Sequence, residues 1–203
     1  KGVQKTRTIS DTFDQSMSGE TLVNMMKLDL LVGSGGVLSH APRRHQAVRM
    51  LIDSFLPEGI TELAVDSIFM MPQLGVLSSI HQEAAVEVFN KDCLIRLGTC
   101  IAPVGNYIEK SLMLKYSIKI NDKIIQGDLK TGEIKLIKLE NTECQITISP
   151  EKNYDVGEGK GISVSKKIRI GEVGIILDGR GRPIRFNSDN DIVEWSNATG
   201  EFN

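Results

Sequence analysis

Long apolar runs, charge of one sign and paired cysteines are all scarce in this chain, and each shortage removes a class of function. No apolar stretch approaches the roughly 20 residues that a helical membrane span requires. The first residues also lack the basic segment followed by an apolar one that directs secretion. Acids and bases nearly cancel, to a formal net charge of −2, and are interspersed. That leaves no basic footprint for nucleic acid or an anionic membrane, so neither is expected as a partner. Cys93, Cys100 and Cys144 are odd in number, form no C-x-x-C pair and have no histidine at zinc-ligand spacing. They read as buried reduced thiols of a cytoplasmic protein, and no metal is expected.

The familiar catalytic signatures are missing too. There is no Gly-x-Ser-x-Gly elbow and no His-Glu-x-x-His helix, and His40, His45 and His81 share no ligand spacing. No nucleophile and base announce themselves, so the hydrolytic residues stay unassigned.

What the chain does have is a bare stretch of backbone. Residues Asp29 to Val32 read as a buried strand, Gly33-Ser34-Gly35-Gly36 as a turn, and Val37 to Arg44 as the start of a helix. Glycines allow positive φ and let another molecule lie against the main chain, while a following helix aims free N–H groups at that place. The spacing is neither a P-loop nor a dinucleotide turn, because no Gly-Lys-Ser/Thr follows and the third glycine position is Leu38. Gly33, Ser34, Gly35 and Gly36 are the nucleotide candidates, with Ser39 as a cap or a ribose contact; a tight strand-to-helix turn is the plainer alternative. Arg43 and Arg44 sit in the first helical turn, where the dipole disfavours cations, so they meet an anion or lie bonded to water. His40 is close enough to reach a ligand, with a surface or capping histidine as the plainer alternative. Asp66 interrupts an apolar strand and is either satisfied by backbone N–H groups at the strand end or turned toward a ligand cleft.

From residue 28 to 103 the pattern alternates strand and helix, which predicts an α/β unit over 1–105. Ala47, Val48, Leu51, Ile52 and Phe55 predict a helix ended by Pro57 and Gly59; Ile60 to Met71 reads as a strand, Gln82 to Asn90 as a short helix and Cys93 to Ala102 as another strand. Ser18 to Thr21 would cap a further short helix. Over 106–203, short β-branched runs at 115–120, 123–126, 134–139, 143–148, 162–170 and 174–177 alternate with turn signals such as Asn121-Asp122 and Thr131-Gly132. These predict a largely antiparallel β unit, a barrel or a sandwich, closed by a terminal helix whose lone Trp195 docks on the surface. Gly157 to Gly161 reads as a loop with left-handed residues.

Two of these stretches, Val32 to Arg44 and Leu63 to Leu77, resemble the glutamate mutase (methylaspartate mutase) accessory protein family, and Gly171-Glu172-Val173-Gly174-Ile175-Ile176-Leu177-Asp178-Gly179-Arg180-Gly181-Arg182-Pro183 continues the likeness. That family is related to the hydantoinase/oxoprolinase branch of the actin/Hsp70/sugar-kinase ATPase superfamily. The resemblance implies the second, adenosine-side lobe of a ribonuclease H-like ATPase fold, followed by the small β unit. It also implies a C-terminal piece of a longer protein, with the phosphate-gripping hairpin upstream. The implied function is an ATP-dependent, chaperone-like reactivating factor for an adenosylcobalamin-dependent mutase. ATP or ADP, with Mg in the full-length protein, would bind the chain; cobalamin would enter only through the mutase subunits, and by elimination the β unit is the candidate for contact with them. A homo-oligomer is left open. Two alternatives stand beside this one: an ATP-dependent amide hydrolase resembling hydantoinases or oxoprolinases, and a binding module without nucleotide.

Overall fold

The computed structural model describes residues 23–140, 142–186 and 188–200; the helix predicted from Ser18 falls mostly outside them. The protein is mixed α/β, built in three layers. The middle layer is a five-stranded sheet in the order β1 (Leu30–Gly33), β2 (Gly59–Asp66), β3 (Leu94–Ala102), β11 (Gly174–Asp178), β7 (Ile134–Ile137). β1 runs parallel to β2 and β3 parallel to β11, while β2–β3 and β11–β7 are antiparallel.

One face of this sheet takes helices α2 (Arg44–Phe55) and α5 (Asp189–Thr199). The i, i+1, i+4, i+5 spacing of Ala47, Val48, Leu51 and Ile52 puts all four on one stripe, and all are buried against Leu63, Val65, Leu97, Cys100 and Ile176. Phe55 was expected on that stripe and is exposed instead. It lies at the helix end, where Leu56 turns left-handed at φ 48°. The other face takes a four-stranded antiparallel sheet, ordered β10 (Val164–Arg169), β8 (Glu143–Pro150), β5 (Leu112–Ile120), β6 (Lys123–Lys130). Ile101, Ile175 and Leu177 point into this second core with Leu114, Ile118, Ile146 and Ile148. Two short strands, β4 (Val104–Gly105) and β9 (Tyr154–Asp155), pair on their own.

The five-stranded sheet crosses the 105/106 boundary, because β7 and β11 lie in it and not with the other β runs. Burial pattern explains the division. β8 alternates along its length, with Cys144, Ile146 and Ile148 buried and Gln145 and Ser149 exposed, as suits a sheet with one wet face. β11 is buried at every residue and apolar toward both cores, so it must sit where both faces are covered.

Beyond β2 the chain departs from the expected strand. β2 stops at Asp66; α3 (Met71–Ser78) follows, with Pro72 in its first turn, and then α4 (Gln82–Val88). His81 caps α4, accepting from the Ala84 amide at 3.3 Å. Trp195 is another correction. It is buried between α5 and the sheet, with Nε1 donating to the Gly132 carbonyl at 2.7 Å. A large ring on an otherwise half-polar helix is the side chain that can cover the edge strand β7. All three cysteines are free and buried, and Gly157, Gly159 and Gly161 take positive φ. No helix among the described residues is long and apolar enough to cross a membrane.

Gly98 of β3 faces Gly174 of β11 so closely that a Cβ there would overlap the Gly174 carbonyl. Gly98→Ala is expected to separate the two central strands and cost about 3 kcal/mol or more, the upper range for overpacking. Urea unfolding compared with Gly75→Ala, where a Cβ would meet nothing within 4 Å, measures it.

Candidate functional site

The two ends of the five-stranded sheet carry different chemistry. At one end β1 and β2 finish side by side, Gly33 opposite Val65, and Asp66 follows at once. The turn then enters α1 (Gly36–Ser39), a single helical turn ended at His40; α2 begins only at Arg44. The expected continuous helix is thus broken at residues 40–43. A four-residue helix has little dipole to offer, so any ligand here would be held by the open backbone and not by a helix terminus.

The glycines divide into two kinds. A Cβ on Gly33 would lie 2.6 Å from Leu38 Cδ1 and 2.8 Å from Leu51 Cδ2, so this position is bare in order to admit two core side chains. Gly33, expected under a ligand, is thus buried with its missing side chain making room for Leu38 and Leu51. Gly35, at φ 110°, has nothing within 4 Å of its Cβ direction, and Gly36 meets only His40 Cδ2 at 3.9 Å. These two keep an open approach. Ser39 turns back on its own helix, its hydroxyl donating to the Gly35 carbonyl at 3.0 Å. His40 and Arg43 are exposed beside the turn, and the Arg43 amide donates to Gln46 Oε1 at 3.3 Å. Arg44 finds its anion inside the protein: Nε is 3.4 Å from Glu172, and Nη1 donates to the Ser39 carbonyl at 3.2 Å.

Asp66 is fully buried at the strand end. Its carboxylate accepts from the Met70 and Met71 amides at 3.2 and 3.1 Å, and the Ser34 hydroxyl donates to it at 3.4 Å. Of the two readings left open for this residue, the backbone acceptor is the one the geometry supplies. The same carboxylate nevertheless links the glycine turn to the start of α3.

The opposite end holds a cluster that residue patterns did not single out. Asp178, at the end of β11, accepts from Arg180 N and Nε at 3.1 and 2.9 Å and from Arg180 Nη2 and Arg182 Nη2 at 2.9 and 3.0 Å. Arg180 reaches on to Asp53 of α2 at 2.7 Å, and Arg182 Nε donates to the Pro57 carbonyl at 2.9 Å. Its sequence signal was the run Asp178-Gly179-Arg180-Gly181-Arg182, where glycines let alternate charged residues fold back on one another. A cleft of about 440 Å³ lies over it, walled by Leu56, Ile184, Phe186, Ile192 and Trp195. Among the described residues, no group of three or more His, Cys, Asp or Glu is arranged to hold a metal ion.

Residues 3–93 match the MutL protein family, a little under half of the chain. The likeness is to the MutL family and covers this stretch alone. It is the family accompanying glutamate mutase to which the resemblance pointed. The MutL match takes in the glycine turn, Asp66, α3 and α4, and stops before β3, so the Asp178 cluster lies outside it. The chain matches no curated protein and no solved structure.

Burial works to raise the Asp178 pKa, but Arg182 and Arg180 outweigh it and bring the value from 3.8 to about 2. A lowered carboxylate pKa lends stability that is complete above the unfolded value and lost as pH falls through the folded one. Unfolding midpoints are thus expected to fall between pH 3.8 and about 2. Asp178→Asn should remove that component of the acid dependence and cost about 3–5 kcal/mol at neutral pH, because it strands buried guanidinium charge. Denaturant titrations across pH on both proteins read the two effects.

Proposed function

We propose that the protein is part of an ATP-dependent reactivating factor for an adenosylcobalamin-dependent mutase of the glutamate mutase type. The observation that carries this reading is the MutL match over residues 3–93, which includes a turn whose Gly35 and Gly36 leave an open approach. Ser34, Gly35 and Gly36 would lie against the nucleotide, with His40 within reach of its polar groups. The bound nucleotide would supply the free energy of phosphate release, and these residues would orient it.

In this reading the chain binds, and hydrolysis requires groups from elsewhere in the longer protein, including those that hold Mg. Two described acids at this end are committed: Asp66 to two amides and a hydroxyl, Glu172 to Arg44. Reactivation follows if each nucleotide state favours a different conformation of the factor, since a ligand shifts an equilibrium only by its differential affinity. A mutase held by one conformation would then be strained open and release a damaged cobalamin.

Restoration of inactivated glutamate mutase by the full-length protein with ATP tests the reading; no recovery, with ATP unconsumed, would sink it. On the nucleotide side, Gly36→Leu fills open space at an exposed helix position and should weaken ADP binding by about tenfold or more, roughly 1.4 kcal/mol. Gly33→Ala, by contrast, should lower the unfolding free energy by about 1–3 kcal/mol while leaving ADP affinity nearly intact. Calorimetry and thermal melts on both variants separate the two roles.

A further inference from the structure

Helices α3 and α4 form a hairpin that projects from the sheet end beside the glycine turn. Each has only one buried apolar residue, Leu74 in α3 and Ala85 in α4, and both helices are too short to persist on propensity alone. The base is pinned at both legs. Asp66 holds the Met70 and Met71 amides on one side, and on the other Ser67 donates through its amide and its hydroxyl to the Cys93 carbonyl, each at 2.8 Å.

What this pedestal presents is apolar. Ile80 is 85% exposed, Val76 70% and Phe69 56%, with Ile68 and Val86 beside them. Phe69 stands at φ 57°, a conformation that a bulky L residue keeps only where its surroundings impose it. The Asp66 bonds to the next two amides impose it here. Around this surface Glu83, Glu87 and Asp92 are exposed against a single Lys91.

We infer that the apolar face of the α3–α4 hairpin, centred on Phe69 and Ile80, is the surface that docks the mutase subunit, in an apolar groove edged by basic residues. The inference rests on the partner reading above and locates it on the hairpin, not on the four-stranded sheet expected to carry it. The acidic rim selects the occupant. It repels phosphates and anionic lipid, and a second copy of the chain would bring like charges together.

Purified glutamate mutase subunits titrated onto the immobilised protein provide the test, with Ile80→Glu, Phe69→Ser and, on the outer sheet, Ile124→Glu. All three side chains are exposed, so melting temperatures should stay near that of the native chain. Hairpin substitutions are expected to weaken binding by about tenfold or more, as anchor residues do, and Ile124→Glu to leave it unchanged. Glu83→Lys with Glu87→Lys should slow association and reduce its salt dependence. Native affinity in the hairpin variants, with loss in Ile124→Glu, would overturn the inference while sparing the partner reading. A concentration-dependent dimer abolished by Ile80→Glu would assign the face to self-association and overturn it as well. If the native chain captures no mutase, the partner reading itself falls and takes this one with it.

Discussion

The whole architecture depends on a sheet that has to be dry on both faces. β3 and β11 carry Cys100 and Ile176 toward the helices and Ile101, Ile175 and Leu177 toward the second sheet, so neither strand tolerates water on either side. The chain meets this demand by drawing β7 and β11 out of the long β-rich region to complete a sheet begun by β1, β2 and β3. The remaining β strands become the cover. Close contact at Gly98 and Gly174 is the most exacting point of that assembly, since no side chain fits between the two backbones.

Because β1 and β2 run against β3 and β11, their ends separate two kinds of carboxylate. Asp66 and Asp178 are both buried at strand ends. Asp178 is neutralised by guanidinium groups that bind α2 and the Pro57 loop to the sheet, and so it closes its end of the molecule. Asp66 meets no such cation among its described partners. Its bonds go to two amides and a hydroxyl, which fixes the exposed hairpin and touches the open turn. One end is therefore cemented and the other kept accessible, and the proposed activity is placed at the accessible one.

Much of the element list was legible from residues. α2 followed from the spacing of Ala47, Val48, Leu51 and Ile52, and β3 from a mostly apolar run ended by Pro103. α3 was missed because Met71-Pro72-Gln73-Leu74-Gly75-Val76-Leu77 lacks the polar face that marks a surface helix; Pro72, which suits a first helical turn, was the signal available. Trp195 was misplaced for a related reason, as its burial depends on β7 lying beneath α5, a neighbour far away in the chain. The ion cluster stayed unseen because Asp53 and Asp178 meet only through the fold.

Local pattern by itself determined most of the helices and strands, α3 excepted, that the cysteines would be buried, and that the turn at residues 33–36 is bare. These follow from periodicity, side-chain size and backbone freedom within a few residues. Tertiary structure alone decided which strands share a sheet, and that Gly33 is bare to admit Leu38 and Leu51 while Gly35 and Gly36 face outward. A missing side chain looks the same in sequence whether its space is taken by a neighbouring residue or left to a ligand, and only packing tells the two apart.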